Sequence, residues 1–409
     1  MRTATAATLA LVLVLVGATG AFALGAGGGG PTLERTWVSD TGRDVKANHH
    51  APAAGVVDGR GMVYAPISGR ADTTACALVA LDAGTGGADW RYRVPAPNCT
   101  VHSIATPALA DFDGDGETEV LGATTEGDVV ALDAATGREE LRGALTSYGY
   151  SKPVVADLVG GPAAEVAVVD VRGALSVFDR NGSLRWRQRL GDRAWGQPAA
   201  VDADADGATE LLVATDGGRL TAFEGNGSVA WQRTDVGRVL WSSAGTVANE
   251  TVFATATAGG QVGLFDAATG ERRWQHDFGR YAAVNAIGDG DGDGTAEVYA
   301  VARDGELRAI DGASGDVEWT TTLTGADVQM TPPPTLGDVD GDGSEELVAV
   351  TNDGLVSLVD PTDGSVLSTH ERNVPIYTYP SVVDTDDDGA AEVYVIYSDG
   401  RVVAFEGTE

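Results

Sequence analysis

The chain runs to 409 residues with 60 acidic and 27 basic side chains, a formal net charge of −33. With no basic patch to neutralise phosphates, that balance argues against a nucleic-acid partner. A disordered acidic chain is excluded too, because 43% of the residues are hydrophobic and fall in regular strand patterns. Only Lys46 and Lys152 are lysines; the other cations are arginines. Acidic excess with almost no lysine suits a protein working in molar salt, where self-repulsion is screened and carboxylates keep the surface hydrated. The expected source is an extreme halophile.

The N-terminus carries one early Arg2 and then an apolar run from about Ala4 to Ala26. The run is long enough for the ~20 residues that cross a bilayer. It reads either as a secretory signal, cut near Ala18 to Ala21 or at Ala21-Phe22-Ala23, or as an uncleaved membrane anchor. A glycine-rich linker, Gly25 to Gly30, follows. Residues 1–32 are therefore assigned to export or anchoring, and 33–409 to a folded domain outside the cytoplasm, secreted or anchored. Cys76 and Cys99 are the only cysteines, and in an exported chain they are either a disulfide or two free thiols. Four Asn-x-Ser/Thr sequons begin at Asn98, Asn181, Asn226 and Asn249.

From residue 77 onward one pattern recurs: an apolar strand, an acid, a tight turn, and often a tryptophan. Ala77 to Trp90 (ALVALDAGTGGADW) and Val262 to Trp274 (VGLFDAATGERRW) are examples. The anchoring acids are Asp82, Asp133, Asp179, Glu224, Asp266, Asp311, Asp360 and Glu406, about every 45 residues. Each period holds four short strands separated by Asp-Gly, Gly-Gly or Asn-Gly turns, which is the unit of a propeller blade. The last unit stops without a Trp strand, whereas Leu33 to Val38 is an orphan Trp strand ahead of the first. Joining them predicts an all-β, eight-bladed β-propeller of four-stranded antiparallel blades, closed by the N-terminal strand (residues 33–40) with no open sheet edge. It is expected to be a monomer.

Five acidic loops sit out of phase with that repeat, each reading D-x-D-x-D-G-x-x-E before an apolar segment. Positions 1, 3, 5, 7 and 9 are Asp111, Asp113, Asp115, Glu117 and Glu119 in the first loop, then Asp202, Asp204, Asp206, Ala208 and Glu210. Asp289, Asp291, Asp293, Thr295 and Glu297 follow, then Asp338, Asp340, Asp342, Ser344 and Glu346, and last Asp384, Asp386, Asp388, Ala390 and Glu392. Alternate carboxylates in a tight loop converge on a point, with position 7 offering its main-chain carbonyl, and a glycine at position 6 permits the wrap. Oxygen donors of this kind suit Ca²⁺, so about five structural Ca²⁺ are expected. The third repeat keeps only Asp157 and Glu165 and should bind none, and the first and fifth have lost the loop.

The A-x-D-A-x-T-G-x-x-x-W signature resembles the PQQ-like repeat of quinoprotein dehydrogenases and of outer-membrane assembly propellers. The acidic loops resemble calcium repeats of the FG-GAP/VCBS type. The resemblance covers about residues 33–409. It implies a propeller, and its members include enzymes, scaffolds and adhesins.

Residues just ahead of each innermost strand should gather at one mouth of the central channel. They include His49, His50, His102, Tyr150, Lys152, Trp195, Gln197, Trp241, Tyr281, Gln329, Tyr377 and Tyr379. The repeat does not require aromatics there, so this is the candidate ligand pocket; the three histidines could also hold a transition metal. No nucleophile motif such as G-x-S-x-G appears. The preferred reading is a non-catalytic scaffold or binding module for a protein or polysaccharide at the cell surface, and the alternative is a carbohydrate-binding or carbohydrate-cleaving propeller. A quinoprotein dehydrogenase is disfavoured: that family carries an adjacent Cys pair over its PQQ, whereas Cys76 and Cys99 are far apart, and the acidic loops lie away from the predicted mouth.

Overall fold

Strands that follow the acidic loops are unbroken buried runs. Glu119–Ala123, Glu210–Ala214, Glu297–Val301 and Glu346–Val350 are buried at every position. A strand rich in Val, Leu and Ala on both faces needs an apolar layer on each side. The computed structural model, which describes residues 31–408 apart from positions 47 and 162, supplies those layers by packing blade against blade. Residues 31–409 form one unit; the export or anchor reading of the N-terminus falls on residues outside those described.

There are eight four-stranded antiparallel sheets. Seven are built from consecutive strands, from blade 1 (residues 53–93) through blade 7 (residues 335–371). In blade 8, Thr32–Val38 pairs with Val402–Thr408, in a register running from Thr32↔Thr408 to Val38↔Val403 with a bulge between Arg35 and Trp37. The innermost strands touch in sequence around a ring, and that of blade 8 (Ser381–Val383) meets that of blade 1 (Ala53–Val57). The closing strand is thus the expected one, within two residues at each end.

The tryptophans clasp the seams. Trp37, Trp90, Trp186, Trp231, Trp274 and Trp319 donate from Nε1 to carbonyls of the following blade, at Ala83, Ala134, Gly225, Ala267, Gly312 and Pro361, over 2.6–3.0 Å. Each accepting residue directly follows the anchor acid of that blade. Each ring also lies on the turn glycine of that blade; at Gly315 (φ 79°) an added Cβ would stand 2.7 Å from Cγ of Trp274. In blades 2 and 7 the register puts Leu141 and Ser368 at the ring's place.

Cys76 and Cys99 form a disulfide across 23 residues, both fully buried, so of the two readings the thiols are joined. A loop of that length constrains the unfolded chain by about 3 kcal/mol. Replacing both cysteines by alanine is expected to destabilise the fold by about 2–4 kcal/mol in a denaturant titration.

Candidate functional site

The innermost strands run from the channel mouth toward the opposite face, so the two candidate sites sit at opposite ends of them. The acidic loops follow the strand and the aromatic–histidine set precedes it.

All five acidic loops share one hydrogen-bond frame. The first Asp accepts the N–H of the sixth-position glycine over 2.9–3.1 Å. The fifth-position Asp accepts the N–H of the seventh residue over 2.7–2.9 Å. The closing Glu accepts, at Oε2, the N–H of the second residue over 2.8–3.1 Å. These bonds turn the carboxylates inward. Ligand oxygens of Asp111, Asp113 and Asp115 lie within 4.8 Å of one another, as do those of Asp202, Asp204 and Asp206, of Asp289, Asp291 and Glu297, and of Asp384, Asp386, Asp388 and Glu392.

The closing glutamates are the unusual members. Glu119 and Glu297 are buried, and Oε1 of each has no hydrogen-bond partner among the described residues. Burial, reinforced by the nearby aspartates, pushes the carboxyls of Glu119, Glu297 and Glu346 up to about 7. Glu210 and Glu392 shift the same way for the same reason. A buried anion with an orphaned oxygen beside further anions is costly unless a cation completes it.

Blade 3 is an internal comparison. It keeps the frame's ends, with Leu158 N–H bound to Oε2 of Glu165 at 3.1 Å, but lacks the intervening acids. There the guanidinium of Arg185 approaches Oε1 of Glu165 at 3.6 Å. Arg185 stands immediately before the blade's tryptophan. In blade 5, also without a loop, Arg273 holds that place and pairs with Glu250 and Asp266. In blade 1, Arg60 pairs with Asp82 and Asp89. Blades with an acidic loop have Glu140, Ala230, Glu318, Leu367 or Thr36 there instead. An arginine stands at that position only in blades 3 and 5, neither of which keeps the acidic loop.

At the other end lies a cavity of about 450 Å³. Of the expected mouth residues, His49, His50, Tyr150, Lys152, Trp195, Gln197, Trp241, Gln329, Tyr377 and Tyr379 line it. His102 stands behind, its ring edge-on to His49 at 4.2 Å between centroids. Tyr281 is not part of the lining. It is 38% exposed, with a left-handed backbone (φ 49°) whose N–H is held by the Ala258 carbonyl of blade 5. Sequence reasoning missed Lys46 and Thr106, which also line the cavity. The signal for Lys46 was present, since it is one of only two lysines and both lie here.

Gln197 donates from Nε2 to the hydroxyl of Tyr379 at 2.6 Å, joining blade 4 to blade 8, its opposite in the ring. That bond spans the channel. Below it a second recess, shared with Lys152 and Gln197, runs along Leu109 and Val155. Burial shapes the electrostatics of the mouth. It pushes the Tyr150 phenol up to about 12 and lowers the Lys152 ammonium. Burial also brings His102 down to about 4 and holds His50 well below the ordinary imidazole range, with the neighbouring histidines adding to both shifts. No carboxylate lines this cavity among the described residues, on a chain of net charge −33.

Fold and repeat together define an eight-bladed PQQ-like repeat propeller. The family model described as outer membrane protein assembly factor BamB matches residues 34–165, 149–293 and 237–409, and the chain belongs to that family. No curated protein sequence matches it. Among solved structures, BamB from Moraxella catarrhalis is 18% identical over 92% of this chain and 98% of that one, with a TM-score of 0.63. A computationally designed protein, Ika8, is 14% identical over 89% and 98%, with a TM-score of 0.65. Sqt1 of Saccharomyces cerevisiae is 10% identical over 90% and 98%, with a TM-score of 0.67. At these identities the likeness is one of fold.

Proposed function

We propose that this chain is an extracytoplasmic, calcium-stabilised propeller that acts as a non-catalytic binding module at the cell surface, with the channel mouth as its recognition face. The mouth cavity carries the reading: five aromatic side chains and both lysines line it without a carboxylate, on an otherwise strongly acidic molecule. Such a concavity offers flat apolar faces and positive charge to a partner that the rest of the surface would repel. The apolar N-terminal run supports export, and the family's description supports an assembly or scaffolding role. The acidic composition supports work in high salt. Ca²⁺ in the five loops is supported by their shared frame, by the orphaned Oε1 atoms of Glu119 and Glu297, and by the arginine beside Glu165 in blade 3.

A polysaccharide partner is a second reading, favoured by Trp195, Trp241 and Tyr377, whose rings could stack on sugars. Both readings place binding at the mouth. Trp195→Ala with Lys152→Met is expected to weaken capture of the partner, protein or polysaccharide, about thirtyfold or more, the ~2 kcal/mol of a binding hot spot. The melting temperature should hold. Co-purification from high-salt envelope extracts and depletion of polysaccharide from solution separate the partner classes; capture undiminished in the variant would move recognition away from the mouth.

A further inference from the structure

We propose that His49, His50 and His102 form a transition-metal site, for an ion of the Zn²⁺ class, whose open coordination position faces the mouth cavity and takes a carboxylate-bearing ligand steadied by Lys152. The proposal extends the reading of the mouth as the binding face but is tested through the metal alone.

One ring nitrogen from each of the three histidines lies within 4.8 Å of the other two. Nε2 of His49 and Nδ1 of His102 are 2.5 Å apart, a hydrogen bond in which one ring carries the proton that a metal ion would displace. His50 is only 6% exposed, and its Nε2 has no hydrogen-bond partner among the described residues. Leaving a buried ring nitrogen unsatisfied is unfavourable, and coordination resolves it. An all-imidazole donor set suits Zn²⁺, Cu²⁺ or Ni²⁺ rather than Ca²⁺, so the ion differs from that of the acidic loops on the opposite face.

Three protein ligands leave a fourth position open. His49 and His50 line the cavity while His102 stands behind them, so the open side faces the cavity. Lys46 and Lys152 line the same space. Lys152 has no ion-pair partner among the described residues, in a protein with 60 acidic side chains. A divalent ion in the same cavity as an ammonium with no ion-pair partner among the described residues, and no carboxylate in the lining, calls for an anion from solution.

The test is a Co²⁺ titration of the full chain held in saturating Ca²⁺, followed by visible absorption. The native chain should take up one Co²⁺ with the intense bands of a low-coordinate nitrogen site, and Zn²⁺ should erase them. His102→Ala and His49→Ala should each weaken uptake at least about a hundredfold, the upper end of what losing even an outer-shell partner costs. Both variants should melt like the parent in Ca²⁺, which avoids substituting the buried His50. Acetate should shift the bands, and Lys152→Met should weaken that response about tenfold. Absence of bands in excess Co²⁺, bands unchanged in both histidine variants, or bands indifferent to acetate would each overturn the proposal. Partner capture that depends on Trp195 without any Co²⁺ bands would retain the recognition face and sink the metal site.

Discussion

Chelating Ca²⁺ from the purified chain is expected to lower its melting temperature by roughly 15 °C. A site held at about 100 times its dissociation constant contributes about 2.7 kcal/mol. Five such sites reach about 13 kcal/mol, comparable to the whole ~5–15 kcal/mol stability of an ordinary domain. At this chain length a kcal/mol moves the midpoint by little more than about 1 °C. Metal analysis should return close to five Ca²⁺ per chain, and Asp340→Ala with Asp342→Ala should leave four. No Ca²⁺ on the native chain together with an unchanged melt would reduce the loops to acidic turns. Blade 3 sharpens the expectation. Arg185→Ala leaves Glu165 without its cation and has no loop acids with which to recruit another, so this variant should lose stability that added Ca²⁺ does not restore.

The chelated chain should also show a particular pH dependence. Its closing glutamates Glu119, Glu297 and Glu346 have folded-state values near 7, above those of the unfolded chain. The folded state therefore holds protons that the unfolded state has released, and stability drains away as pH rises from the ordinary carboxylate range through about 7. Bound Ca²⁺ removes the effect by demanding the ionised carboxylate. Melting curves in chelator should shift downward between pH 5 and pH 7.5, on the order of the window those values set. Curves in Ca²⁺ should not. Equal slopes in the two series would mean that the glutamates do not sense the ion.

The blade count, the closing strand and the loop frame were all legible in the sequence because each repeats. A short motif written several times at fixed phase leaves few other readings, and the register of the Trp strands then assigns Thr32–Val38 to blade 8. The channel contents were less legible. Residues before the innermost strands are not fixed by the repeat, so their position could be read but their reach could not. Tyr281 and Tyr379 occupy similar places in their blades, yet Tyr379 meets Gln197 across the channel while Tyr281 stays outside the cavity. Tyr281 has a left-handed backbone that Tyr379 does not share. The arginine exchange was hidden for another reason. Arg185 and Glu165 come from different strands of blade 3, and their meeting is a property of the sheet.

The clasp between blades should give the largest single-residue effect on stability. Trp274→Ala removes a ring packed on the next blade together with its bond to the Gly312 carbonyl, and should cost about 3–5 kcal/mol. Gly315→Ala should cost about 2–3 kcal/mol, part from the left-handed backbone and part from driving a methyl into the ring of Trp274. The two losses should not add. With the ring gone the methyl meets nothing, and only the backbone share of the glycine substitution, about 1–2 kcal/mol, survives. A double-mutant cycle read by denaturant titration should therefore show a coupling of about 1 kcal/mol or more. Additive losses would mean that Trp274 and Gly315 stabilise their blades separately. Coupling would explain why the signature joins a glycine and a tryptophan that never touch within one repeat: each glycine receives the tryptophan of the blade before it, so the motif encodes the seam.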